Sequence, residues 1–143
     1  MKLEPTSSVI DVDAARASAK DVYVQILKDM EAAEKLVPSI KTLGFGGAVN
    51  KSAVRGLLAR VNLHMAGEPV KDKTRYAEAS KWAKMVIDDA EAGHSLNPSY
   101  PDIFMKLAGD KYDIKESIWE VEFYGNRTDQ YVETGNIGWI NGP

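Results

Sequence analysis

Glu120 and Glu122 would project from one face of a strand, about 7 Å apart by strand rise. Carboxylates near that separation can hydrolyse a glycosidic bond, one as acid and the other as base or nucleophile. Their setting argues for something plainer. Residues 118–124 alternate strictly, with Trp119, Val121 and Phe123 on the other side, so the glutamates read as the solvated face of a half-buried strand. His64 and His94 lie far apart, and the chain has no cysteine, so a zinc site is not indicated. No serine, Ser18 and Ser52 included, stands at a telling sequence distance from a histidine, and a Ser-His-Asp arrangement cannot be argued. His64 reads as a packing or helix-end residue.

Other candidates fail on spacing. Lys51-Ser52 follows a glycine-rich stretch, but position 50 is Asn and position 45 is Phe where a phosphate loop needs glycine. Asp110-Lys111-Tyr112-Asp113 lacks the glycine and the closing glutamate of a calcium loop. Asp88, Asp89 and Glu91 form an acidic helix end, unfavourable with the dipole, and read as surface. The residues left with a chemical role are in the tail. Tyr124, Asn126, Arg127, Tyr131 and Trp139, with Asp129, Gln130 and Asn136 among them, supply flat aromatic faces, amides and a guanidinium. Sugar rings are recognised by such groups, the apolar ring face on an aromatic and the hydroxyls on planar polar groups. The same aromatics could equally pack against another part of a protein.

The elements that position these residues are mainly helical. The apolar stripe Val22, Tyr23, Ile26, Leu27, Met30, Ala33 and Val37 predicts a first helix over about 18–37, opened by Ser18 with Asp21 three residues on and stopped by Pro38. Leu43-Gly44-Phe45-Gly46-Gly47 reads as a flexible connector. Asn50 caps a second helix over about 50–66, with Val54, Leu57, Leu58, Val61 and Met65 on one face and Gly67 and Pro69 at its end. A third helix over about 74–91 is expected to bury Tyr76, Ala79, Ala83, Val86, Ile87 and Ala90. Small residues at Ala53, Gly56, Ala59, Ala79 and Ala83 would let helices two and three approach as an antiparallel pair. Residues 102–107 read as a short helical turn, 118–124 as the strand, and 125–143 as loop.

Composition sets the outer bounds. The chain has 143 residues, 44% hydrophobic and 27% charged, which suits one globular domain. A net charge of -3 gives no pull toward nucleic acid phosphates. No apolar run approaches the ~20 residues of a membrane span, and the amino end lacks the apolar stretch of a secretory signal. Both ends read as cut from a longer protein.

Tyr76-Ala77-Glu78-Ala79, with Ala83 one turn on, resembles the second helix of a tetratricopeptide unit, a repeat of about 34 residues, although no second copy is in register. Four segments in order are similar to the SusD/RagB family. They are Val22-Tyr23 with Ile26, Asp29 and Ala33; Lys51 and Ala53 with Leu57-Leu58-Ala59-Arg60-Val61 and Leu63; Tyr76, Ala79, Ala83 and Val86-Ile87; and Glu116-Ser117-Ile118-Trp119-Glu120-Val121-Glu122-Phe123. Together they cover roughly residues 16–124. The resemblance implies a mainly α fold, a central tetratricopeptide-like α-α superhelix fragment with a short strand and irregular C-terminal loops. It implies a non-catalytic lipoprotein at the outer membrane of Bacteroidetes-type bacteria; family members sometimes bind calcium, but this sequence gives no reason to place an ion, and no cofactor is expected. Such a protein captures oligosaccharides and passes them to a SusC-like TonB-dependent transporter. The helical part would serve as scaffold and transporter contact, and the family's acylated cysteine has no counterpart in this sequence. A tetratricopeptide-like adaptor that binds peptides is the rival reading.

Overall fold

The computed structural model describes residues 1–5, 7, 15–109 and 111–120. It contains α1 (Ala19–Leu36), α2 (Ile40–Leu43), α3 (Lys51–Ala66), α4 (Arg75–Ile87) and α5 (Tyr100–Ala108). The helix ends are written in local chemistry. Ser18 Oγ accepts the Asp21 amide at 3.1 Å, and Asp21 takes the hydroxyl proton in return at 2.6 Å. Pro38 follows the last turn of α1, and its carbonyl accepts the Lys51 amide at 3.0 Å, which brings the start of α3 back beside the end of α1. Between them α2, capped by Ser39 and ended by Gly44 in the left-handed region at φ 77°, precedes the glycine-rich connector.

α3 is the centre of the fold, with α4 packed along it and α1 on another side. Leu27, Val54, Leu58 and Met65 form the buried cluster, and Tyr23, Met30, Val37, Val61 and Trp82 close over it. Side chains of this kind each stabilise the fold by about 1.5–3 kcal/mol when fully buried. Ala53 and Ala79 are buried, whereas Gly56 is exposed, and a methyl group placed on its α-carbon would meet nothing within 4 Å. Close approach of the two helices therefore uses the alanines and does not need Gly56. Gly56→Ala is expected to stabilise the chain by about 0.5–1 kcal/mol, read as a higher urea midpoint, because it removes backbone freedom from a helix interior. An unchanged or lower midpoint would contradict the open space seen there.

Three expectations are corrected. α4 ends at Ile87 rather than near residue 91, because the Asp89 carboxylate accepts the Glu91 and Ala92 amides, each at 3.1 Å, and folds the chain into a turn. Gly93, at φ 60°, completes that turn. On α4 the buried contact runs through Ala79 and the half-buried Trp82, while Tyr76, Ile87 and, beyond the helix, Ala90 are exposed. The expected strand is not formed over its described part, 118–120, and 121–124 lie outside the described residues. There Trp119 is 46% exposed and Glu120 is half-buried, the reverse of the alternation. The reason is that the main chain finds partners other than a ladder: Ile118 O takes the Asn50 side chain, and the Glu120 amide binds Gly46 O.

Candidate functional site

Tyr124, Asn126, Arg127, Tyr131 and Trp139 all lie outside the described residues, as does Glu122. What the described residues hold is the base from which that tail departs, at the N-terminal end of α3.

Asn50 organises it. Its side chain is fully buried; Oδ1 accepts the Ala53 amide at 3.0 Å, and Nδ2 donates to Ile118 O at 2.8 Å and to Ala48 O at 3.3 Å. One residue thus caps α3 and ties down the chain 68 positions later. Two residues on, Ser52 is also buried, and His94 Nε2 lies 2.7 Å from its hydroxyl. His94 Nδ1 faces Lys115 O at 3.1 Å. A carbonyl can only accept, so Nδ1 carries a proton, and in the neutral ring Nε2 receives the Ser52 hydroxyl hydrogen. Ser52 does have a histidine partner, then, which its sequence distance concealed. The pair resembles a nucleophile and its base, but Ser52 is 1% exposed and no substrate carbon could reach its oxygen. Its role is to join the loop at 94 and the segment at 115 to α3.

Arg55, one turn further along α3, binds Glu34 at 2.8 Å and Asp89 at 2.8 Å, all three side chains only 14–15% exposed. This corrects the reading of Asp89 as surface. The residue lies just past the carbonyl end of α4, where the Glu91 and Ala92 amides and the Arg55 cation offset the helix dipole. Its carboxyl is held below the usual range by the Ala92 amide first, with the Arg55 charge and the Glu91 amide adding to it. Beside the network lies an open cleft of about 670 Å³ lined by Ser39, Lys51, Arg55, Lys84, Asp88 and Glu91. Its charges are mostly paired within the protein: Lys84 binds Asp88 at 2.7 Å, and Ser39 donates to Glu91 at 2.8 Å.

A third knot surrounds Asn97. Its Nδ2 donates to Asp113 at 2.9 Å and Asp102 at 3.1 Å, and its amide donates to Glu116. Lys106 binds the same two aspartates, each at 2.9 Å. Both carboxyls are held below their ordinary value by Lys106 first and Asn97 second, and Lys106 is raised by Asp113 and then Asp102. An ammonium group therefore sits where two carboxylates could otherwise have taken a cation. Among the described residues no group of His, Cys, Asp and Glu is arranged to hold a metal. His64, by contrast, is exposed in the last turn of α3, where its carbonyl caps the helix by accepting the Gly67 amide.

This arrangement of three packed helices and a loop-rich flank is similar to a solved structure, a SusD homolog from Bacteroides thetaiotaomicron VPI-5482. The TM-score is 0.65 and the sequence identity 27%, over 76% of this chain and 21% of that one. The fold is SusD-like. No family model and no curated protein matches the chain. The fold is mainly α, as expected. The chain spans about a fifth of the length of the SusD homolog it matches.

Proposed function

We propose that this chain is part of a non-catalytic glycan-capture subunit of an outer-membrane uptake system, in the manner of the SusD-like proteins its fold resembles. In this reading α1, α3 and α4 are scaffold and contact a SusC-like TonB-dependent transporter. Sugar is bound by residues that follow Glu120, namely Tyr124, Asn126, Arg127, Tyr131 and Trp139. The observation that carries it is the SusD-like fold, which extends over three quarters of the chain. The anchoring of residues 115–120 on α3 supports the rest, since a binding loop works best when launched from a rigid base. No helix among the described residues is long and apolar enough to cross a membrane. Surface attachment in this reading belongs to the larger protein.

The test is glycan affinity, measured by calorimetry against a panel of oligosaccharides with the intact polypeptide. Trp139→Ala is expected to weaken binding about tenfold or more, the loss of one aromatic platform. Unchanged affinity would remove the tail from the site. If no oligosaccharide bound and a peptide partner did, the adaptor reading would take its place.

A further inference from the structure

Helix α5 carries its polar face inward and its apolar face outward. Asp102 and Lys106 turn toward the body of the protein, where Lys106 joins Asp102 to Asp113 and Asn97 bonds both aspartates. On the opposite side Tyr100, Phe104 and Leu107, spaced as one helical stripe, are 75%, 53% and 63% exposed. The Tyr100 and Phe104 rings meet edge to face at 5.1 Å. Rotating α5 to bury the stripe would part Lys106 from Asp113 and Asp102 from Asn97, contacts that favour the outward direction. A contiguous apolar patch of this kind marks a contact surface.

Its chemistry and the length of the relative choose the occupant. Tyr100, Phe104 and Leu107 carry no charge, as in a permanent interface that resembles a core cut in two. Transient partners usually meet a more polar surface. The matched SusD homolog extends far beyond the shared region, this chain covering 21% of it. We infer that the α5 stripe is an internal contact of a longer SusD-like polypeptide, covered by a segment outside these 143 residues and not by the transporter. The inference rests on the reading above that this chain is part of such a protein.

The sequence contains no cysteine, so Phe104→Cys places a single thiol on the stripe. Its reaction with a maleimide would be followed in the 143-residue chain and in the full polypeptide without transporter, with the unsubstituted polypeptide as background. The expected result is rapid labelling in the short chain and labelling slower by about tenfold or more in the full polypeptide. Rapid labelling of the full polypeptide, with protection appearing only on adding transporter, would overturn the inference in favour of a transporter surface. Protection already present in the short chain would overturn it too: if dilution abolished that protection the cover is a second copy, and if not it is residues 121–143. Should Phe104→Cys fail to fold, Leu107→Cys, 63% exposed, reads the same stripe. Glycan affinity of the same unlabelled protein is a separate readout, so failure of the capture reading and failure of this one are told apart.

Discussion

Arg55→Ala is expected to destabilise the chain by about 3 kcal/mol, because it leaves two largely buried carboxylates without their cation. Surface ion pairs rarely contribute as much as 1 kcal/mol, and Lys84 with Asp88, 73% and 54% exposed, belongs to that class. The Arg55 triad differs in two ways. Its three side chains are 14–15% exposed, and one guanidinium forks between carboxylates from α1 and from the turn after α4. Arg55→Lys keeps the charge but cannot fork, and should recover only part of the loss. Urea denaturation at pH 7 measures both. A loss from Arg55→Ala below about 0.5 kcal/mol would place the triad with the surface pairs.

The same network predicts a pH dependence. The Asp89 carboxyl lies below its ordinary value of 3.8, held there by the Ala92 amide and then by Arg55. A carboxyl depressed by folding contributes stability above its unfolded value, and that contribution disappears as pH falls through the folded value. The wild-type chain should therefore lose more stability between pH 5 and the acid range, below about pH 4, than Asp89→Asn does. Parallel curves for the two proteins would show that Asp89 is not held by the folded state.

How far the sequence reached depended on how local the cause was. Ser18, Pro38, Asn50 and Gly67 act within a few residues of themselves, and each stands at the end of a helix as its type requires. The apolar stripes likewise report a helix's own period. The stripe on α4 gave the period but not the depth, since Tyr76 and Ile87 face outward while Trp82 covers the core. Contacts between distant positions left no local mark. Ser52 meets His94 across 42 residues, Arg55 meets Asp89 across 34, and Asn50 meets Ile118 across 68. Alternation misled over the described residues 118–120 for the same reason, since it describes one segment and a strand requires a neighbour. A hint was present in Gly93-His94, where a turn glycine just before a histidine could have drawn attention to the loop.

Asn50→Ala is the second large effect, and it separates capping from anchoring. Losing the cap on the Ala53 amide costs about 1 kcal/mol. Losing the Nδ2 donor leaves Ile118 O, and more weakly Ala48 O, without this partner at a part-buried position, which costs about 1–3 kcal/mol more. The total expected is about 2–4 kcal/mol. Asn50→Asp retains an acceptor for the Ala53 amide and removes both donations; because it also turns a buried carboxylate oxygen toward two carbonyls, its loss is an upper bound on the anchoring share, offset in part by its favourable charge at a helix start. If Asn50→Asp were as stable as wild type, the bond to Ile118 would hold nothing. If it lost stability, amide exchange should rise at Glu120, whose N–H reaches Gly46 O only while that segment lies on α3. In the glycan-capture reading the consequence goes one step further. A tail released from α3 has to be ordered when it binds, so Asn50→Asp should weaken oligosaccharide binding without touching any residue that faces the sugar. Loss of affinity in that variant, alongside an intact set of aromatic residues, would tie the scaffold's N-terminal cap to the binding loop it launches.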